Sequence, residues 1–183
     1  MTEPRWMTYA RTLVGVREIK GPRHSATIMG WLKALAAGRK LGSTITSDEV
    51  AWCGTFCAHV FDHAGVPLPK IPERAKSWAG WGRQLLGARA GCVLVFGRQG
   101  GGHVGLYVGE DDGDPTAAPG SARRQPAFHV LGGNQGDAVS IVRIAKDRLV
   151  PGGMRWPAAP EPLPVARPVR LRPDGVPATT NEA

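Results

Sequence analysis

Cysteine is scarce and odd in number, three in 183 residues. Three thiols cannot staple a small scaffold, so the chain reads as one made in a reducing cytosol, with any cysteine function chemical rather than structural. No apolar run approaches the roughly 18–20 residues of a membrane span, so no stable membrane insertion is expected. The start, Met1-Thr2-Glu3-Pro4-Arg5-Trp6, has no basic stretch followed by an apolar one, and no secretory signal peptide is expected there. Acid is also short: 15 Asp and Glu stand against 23 Lys and Arg, a formal net charge of +8. Such a surplus favours polyanionic partners: nucleic acid, anionic lipid or bacterial cell wall. The basic residues are scattered and form no aromatic-basic stripe, so nucleic acid is not an expected partner.

What is present is the composition of a globular domain, 42% hydrophobic and 21% charged. It breaks near Trp156. Seven of the sixteen prolines fall in 157–183, with almost no periodic apolar content. That division predicts a folded body over 1–156 and a Pro-rich disordered tail over 157–183 that cannot offset its chain entropy. The tail is read as a spacer, or as a docking peptide for a virion or host partner.

Helical spacing fills the first half. Trp6, Tyr9, Ala10 and Leu13 follow Pro4 at i, i+3, i+4 and i+7. Ile28, Trp31, Leu32 and Leu35 repeat the pattern, with Gly38 as the expected stop. A third helix is predicted over 52–64, closing at Gly65, and a shorter one over 73–81 after Pro72. The period then changes. Cys92 to Phe96 reads as a buried strand. His103 to Val108 alternates, with Val104, Leu106 and Val108 on one face and His103 and Tyr107 on the other. Phe128 to Leu131 and Val139 to Ile144 also read as strands. Helices first and antiparallel strands after make an α+β class.

Three segments could carry chemistry. Trp52-Cys53-Gly54-Thr55-Phe56-Cys57 opens the third helix, where the positive helix end and a nearby imidazolium favour a thiolate. Gly54 would let a substrate carbonyl approach the backbone. Cys57, one turn on beside Phe56 and Val60, reads as a small buried apolar residue. Cys53, Cys57, His59 and His63 do not suit zinc. At about 100° per residue the histidines fall on a different side of the helix from the cysteines, so His59 and His63 read as surface residues and no metal or cofactor is expected. Gly100-Gly101-Gly102-His103-Val104-Gly105 offers the base such a thiol needs. Gly132-Gly133-Asn134-Gln135-Gly136 offers an orienting partner for that base in Asn134, which also suits a plain glycine-rich turn. His129 and Asp137 are rival partners.

Taken together, Ala51-Trp52-Cys53-Gly54-Thr55-Phe56, Gly102-His103-Val104-Gly105-Leu106-Tyr107-Val108-Gly109 and Val130-Leu131-Gly132-Gly133-Asn134-Gln135 resemble the NlpC/P60 and CHAP superfamily of papain-like peptidoglycan hydrolases. Glu18-Ile19-Lys20-Gly21 and Ala75-Lys76-Ser77-Trp78 add to the likeness, which covers roughly residues 8–150. The resemblance implies a papain-like fold, with N-terminal helices packed on a small antiparallel sheet. It implies Cys53 as nucleophile, His103 as base and Asn134 as orienting residue, with the Cys53 backbone N–H in the oxyanion hole. His129 remains the rival third residue, because some members use histidine there. Cys92 stands where relatives often carry Asp, and Gly132 where many carry Glu. The activity implied is cleavage of a peptidoglycan amide, either within the stem peptide or as an N-acetylmuramoyl-L-alanine amidase. The setting implied is a phage endolysin or virion-borne lysin, made in the cytoplasm and acting on the wall after release through a holin or carriage in a virion. The competing expectation is a catalytically silent wall-binding or virion structural protein of the same fold.

Overall fold

The computed structural model describes residues 3–39, 46–158, 161–163 and 168–174. Pro4, with φ −58°, leads into helix α1, Arg5–Thr12, which buries Trp6, Met7 and Ala10. Helix α2, Ala26–Arg39, buries Ile28, Trp31, Leu32 and Leu35 and runs on through Gly38. One glycine in a helix costs only about 1 kcal/mol, too little to end a helix already docked by four large side chains. Helix α3, Cys53–His63, has an almost wholly buried N-terminal half and ends at Gly65, whose φ of +66° reverses the chain. The segment predicted as a fourth α-helix is a 3-10 helix over Ala75–Gly80. Trp78 and Trp81 pin it by donating indole N–H bonds to the carbonyls of Pro72 and Pro67.

The sheet has six strands: β1 (Arg83–Gln84), β2 (Val93–Arg98), β3 (Gly101–Asp111), β4 (Ala127–Gly132), β5 (Ser140–Ala145) and β6 (Leu149–Trp156). They lie in the order β1-β6-β2-β3-β4-β5 with every pairing antiparallel. The four strands expected from periodicity are β2 to β5. The sequence pattern missed β1, which is two residues long, and β6, which Pro151, Gly152 and Gly153 disguise. Leu94 faces Met154 while Phe96 faces Leu149, so β6 carries a multi-residue bulge there. Gly153 is required in that bulge, since a Cβ there would lie 2.7 Å from the Val95 carbonyl oxygen.

A second irregularity, between Tyr107 and Gly109, breaks the expected alternation of β3. Tyr107 is as fully buried as Leu106, while Val108 is only partly covered. The bulge also turns the Glu110 backbone away from β4. Its N–H and carbonyl pair with the Val169 carbonyl and the Leu171 N–H. The Tyr107 hydroxyl accepts from Val169 N–H at 3.1 Å, and Arg170 meets Asp112 at 2.7 Å. The tail therefore departs from its expected character at these residues: a short stretch completes the sheet beside β3. Edge pairing supplies backbone hydrogen bonds without an apolar core, so proline content alone did not reveal it. Glu161 is held as well, by Arg5 and by an Arg83 bond to its carbonyl. Residues 159–160, 164–167 and 175–183 of the tail lie outside the described ones.

Candidate active site

Trp52 sits just before α3, fully buried, with its indole N–H on Glu18 at 3.1 Å. It delivers Cys53 to the first position of the helix. The backbone N–H of Val104 favours a charge on its sulfur, and those of Gly54 and Cys53 add to the effect. Strand geometry explains the Val104 contact. Tyr107 N–H donates to the Cys92 carbonyl on the β2 side, so alternation sends the Val104 N–H the other way. There β4 has already ended at Gly132, one step past the Leu106–Leu131 pair. An N–H without a ladder partner is thus left on the side of the Cys53 sulfur.

Only 3% of Cys53 is exposed, yet it lines a cleft of about 290 Å³ together with Glu73, Arg74, Ala75, Lys76 and Arg98. Burial pushes its thiol above the ordinary value and outweighs the N–H groups and the Arg98 charge that pull the other way. The expectation of a helix-stabilised thiolate is therefore not met in the free protein: desolvation wins. Cys57 and Cys92 are completely buried, their thiols raised by the same cause, that of Cys92 to about 12. The space over Gly54 is not open to substrate either. A Cβ there would stand 2.3 Å from the Glu73 carbonyl oxygen and 2.5 Å from that of Pro72, so this glycine admits the protein's own loop.

His103, 8% exposed, faces Phe96 across the β2–β3 ladder and borders a second cleft of about 240 Å³. Its Nε2 lies 2.9 Å from Oε1 of Gln135. The Gln135 amide nitrogen donates to the carbonyls of Ser140 at 2.6 Å and Val130 at 3.2 Å, so its oxygen is the atom turned to the ring. An oxygen can only accept, so Nε2 carries the proton and Nδ1 keeps its lone pair. Burial lowers the His103 pKa below 6.5, with Arg98 and Arg148 adding to the effect and the Gln135 bond opposing it. The ring is neutral at pH 7, with Nδ1 as its basic atom. No hydrogen bond joins it to the Cys53 sulfur in this arrangement. The N–H that favours charge on the sulfur most strongly is that of the next residue, Val104. Such contacts commonly tighten only when substrate is bound.

The side chain bonded to His103 is thus that of Gln135, and the expected partner Asn134 is turned elsewhere. Asn134 adopts φ +56°, which directs its amide to Glu18 at 3.3 Å. Its role is that of a turn residue and a tie to the nucleophile loop, because Glu18 holds Trp52 with the same oxygen, Oε2. Gly132 makes the arrangement possible: a Cβ there would lie 2.9 Å from Gln135 Oε1 and 3.3 Å from His103 Nε2. Gly133 serves the other side, where a Cβ would strike Trp52 at 2.5 Å. His129 is not a partner of His103. It is buried against Asp111 at 2.7 Å, and Arg143 grips the same carboxylate with two bonds while holding the carbonyls of Ala122 and Gln125. Asp137 pairs with Lys20.

Glu18 and Gln135 are the residues of the candidate site that the residue-level reading missed. A glutamine immediately after a turn asparagine was the available sign, because neighbouring residues in a turn point in different directions. Asp48 fastens the backbone that follows Glu18. It is fully buried, accepts the N–H groups of Ile19 and Ser25, and meets Nδ1 of His24. His59, expected at the surface, is half-buried, stacked on Trp31 and bonded to the Tyr9 hydroxyl at 2.8 Å. Among the described residues no group of three or more His, Cys, Asp or Glu is gathered as a metal would require. No family model matches the chain, and no curated protein or solved structure is detectably similar to it.

Proposed function

We propose that the chain is a thiol-dependent amide hydrolase acting on bacterial peptidoglycan, with Cys53 as nucleophile, His103 as base and Gln135 as the residue orienting that base. One observation carries the reading: a thiol opening on a cleft is braced by the strand residue next to a histidine whose tautomer is fixed with Nδ1 basic. The resemblance to NlpC/P60 and CHAP hydrolases and the positive charge support peptidoglycan as the substrate.

Cys53 starts as a thiol. Attack of its sulfur on the amide carbonyl is accompanied by transfer of its proton to His103 Nδ1, which makes the ring an imidazolium. Gln135 Oε1 then accepts a hydrogen bond from a positively charged ring, which is stronger than the bond to the neutral one. Backbone N–H groups at the start of α3, that of Cys53 first, receive the oxyanion, a donor type worth about 2.7–4 kcal/mol in the transition state. The imidazolium gives its proton to the leaving amine as the C–N bond breaks. Water, deprotonated by the neutral ring, then cleaves the thioester.

A second reading, a silent wall-binding protein, is favoured by the raised thiol pKa and the missing sulfur–imidazole bond. Mass spectrometry of material released from purified sacculi separates the two. The wild-type chain is expected to release fragments with a new amine and a new carboxyl end, and Cys53→Ala is expected to release none. Equal release by the two proteins, or none by either, would overturn the hydrolase.

A further inference from the structure

The cleft at Cys53 and the cleft at His103 have one lining residue in common, Arg98. It ends β2, exposed, and among the described residues its side chain makes no hydrogen bond and no ion pair. The other cations of the second cleft are committed: Arg143 to Asp111, Arg148 to the Gly97 carbonyl. Across the two clefts the lining holds Arg74, Lys76, Arg98, Arg143 and Arg148 against a single carboxylate, Glu73. A guanidinium with its donors free, bordering both the Cys53 cleft and the His103 cleft, can take a planar anion in two parallel bonds.

We propose that Arg98 is a specificity-determining residue that binds a free carboxylate of the substrate within one residue of the scissile amide. The proposal rests on the hydrolase reading for its meaning but not for its test. Stem peptides whose carboxylates are free would be held with the amide over Cys53, and amidated stems would leave the guanidinium desolvated and unpaired.

The test is calorimetric binding of one disaccharide-tripeptide muropeptide, with free or amidated carboxylates, to the full-length Cys53→Ala protein, so that no turnover is needed. The free form is expected to bind about 10- to 100-fold tighter than the amidated form. Adding Arg98→Gln should erase that ratio, and Arg98→Lys should keep part of it. Equal affinity for the two forms, or a ratio unchanged by Arg98→Gln, overturns the proposal. Failure of the hydrolase reading is a different result: discrimination in binding, with no fragments released from sacculi by the wild-type chain.

Discussion

At the residue scale the candidate site turns on which nitrogen of His103 is basic, and the glutamine amide bonded to the other nitrogen decides it. The Gln135 nitrogen is spent on two carbonyls, its oxygen must accept, and the ring has one tautomer left. Gln135→Ala is therefore expected to lower kcat/KM on sacculi by about 10- to 100-fold, the usual effect of orphaning a buried polar group. Asn134→Ala should cost much less. The pH dependence carries a definite sign. A base whose pKa is lowered by burial stays unprotonated below pH 6.5, so the acid limb of kcat/KM should lie below 6.5. Gln135→Ala removes a bond that favours the charged ring and should move that limb lower still. A limb above 6.5 in the wild-type chain would refute the assignment. Cysteine and histidine were legible in the sequence because their chemistry is rare and their spacing informative. Gln135 was not, because side-chain direction within a turn is set by the positive φ of Asn134, which no composition shows.

At the element scale, periodicity found what periodicity governs. The apolar stripes of α1, α2 and α3 and the short apolar runs of β2, β4 and β5 were all visible. What escaped was structure made by exceptions. Strand β6 hides behind Pro151-Gly152-Gly153, Tyr107 is buried through a bulge, and Gly38 fails to stop a helix fastened by tertiary contacts. The same distinction applies to Gly54. Its lack of a side chain reads as room for substrate, yet that room belongs to the backbone of Pro72 and Glu73. Gly54→Ala would drive a methyl into two carbonyl oxygens and must displace either α3 or that loop. A loss of about 2–4 kcal/mol is expected, measurable as a lower urea midpoint in equilibrium unfolding. An unchanged midpoint would mean that the loop yields freely and that Cys53 is less firmly placed than the contacts imply.

At the scale of the whole molecule, the chain closes on itself through the stretch around Val169 to Leu171. Leu171 lies over Gly109, where a Cβ would come within 2.5 Å of its side chain. Leu171→Asp should cost about 1–2 kcal/mol and lower the melting temperature by about 2–8 °C, while leaving fragment release from sacculi intact at 25 °C. A melting curve identical to wild type would show that this segment adds nothing to the fold.

The double grip of Glu18 on Trp52 and Asn134 has a consequence for how the molecule comes into being. It links positions 116 residues apart, and His103 waits on an amide held by the Ser140 carbonyl. A polypeptide emerging from the ribosome reaches the thiol early and the parts that arm it only after most of its length is made. A truncated translation product ending before residue 134 would carry a thiol but no aligned base.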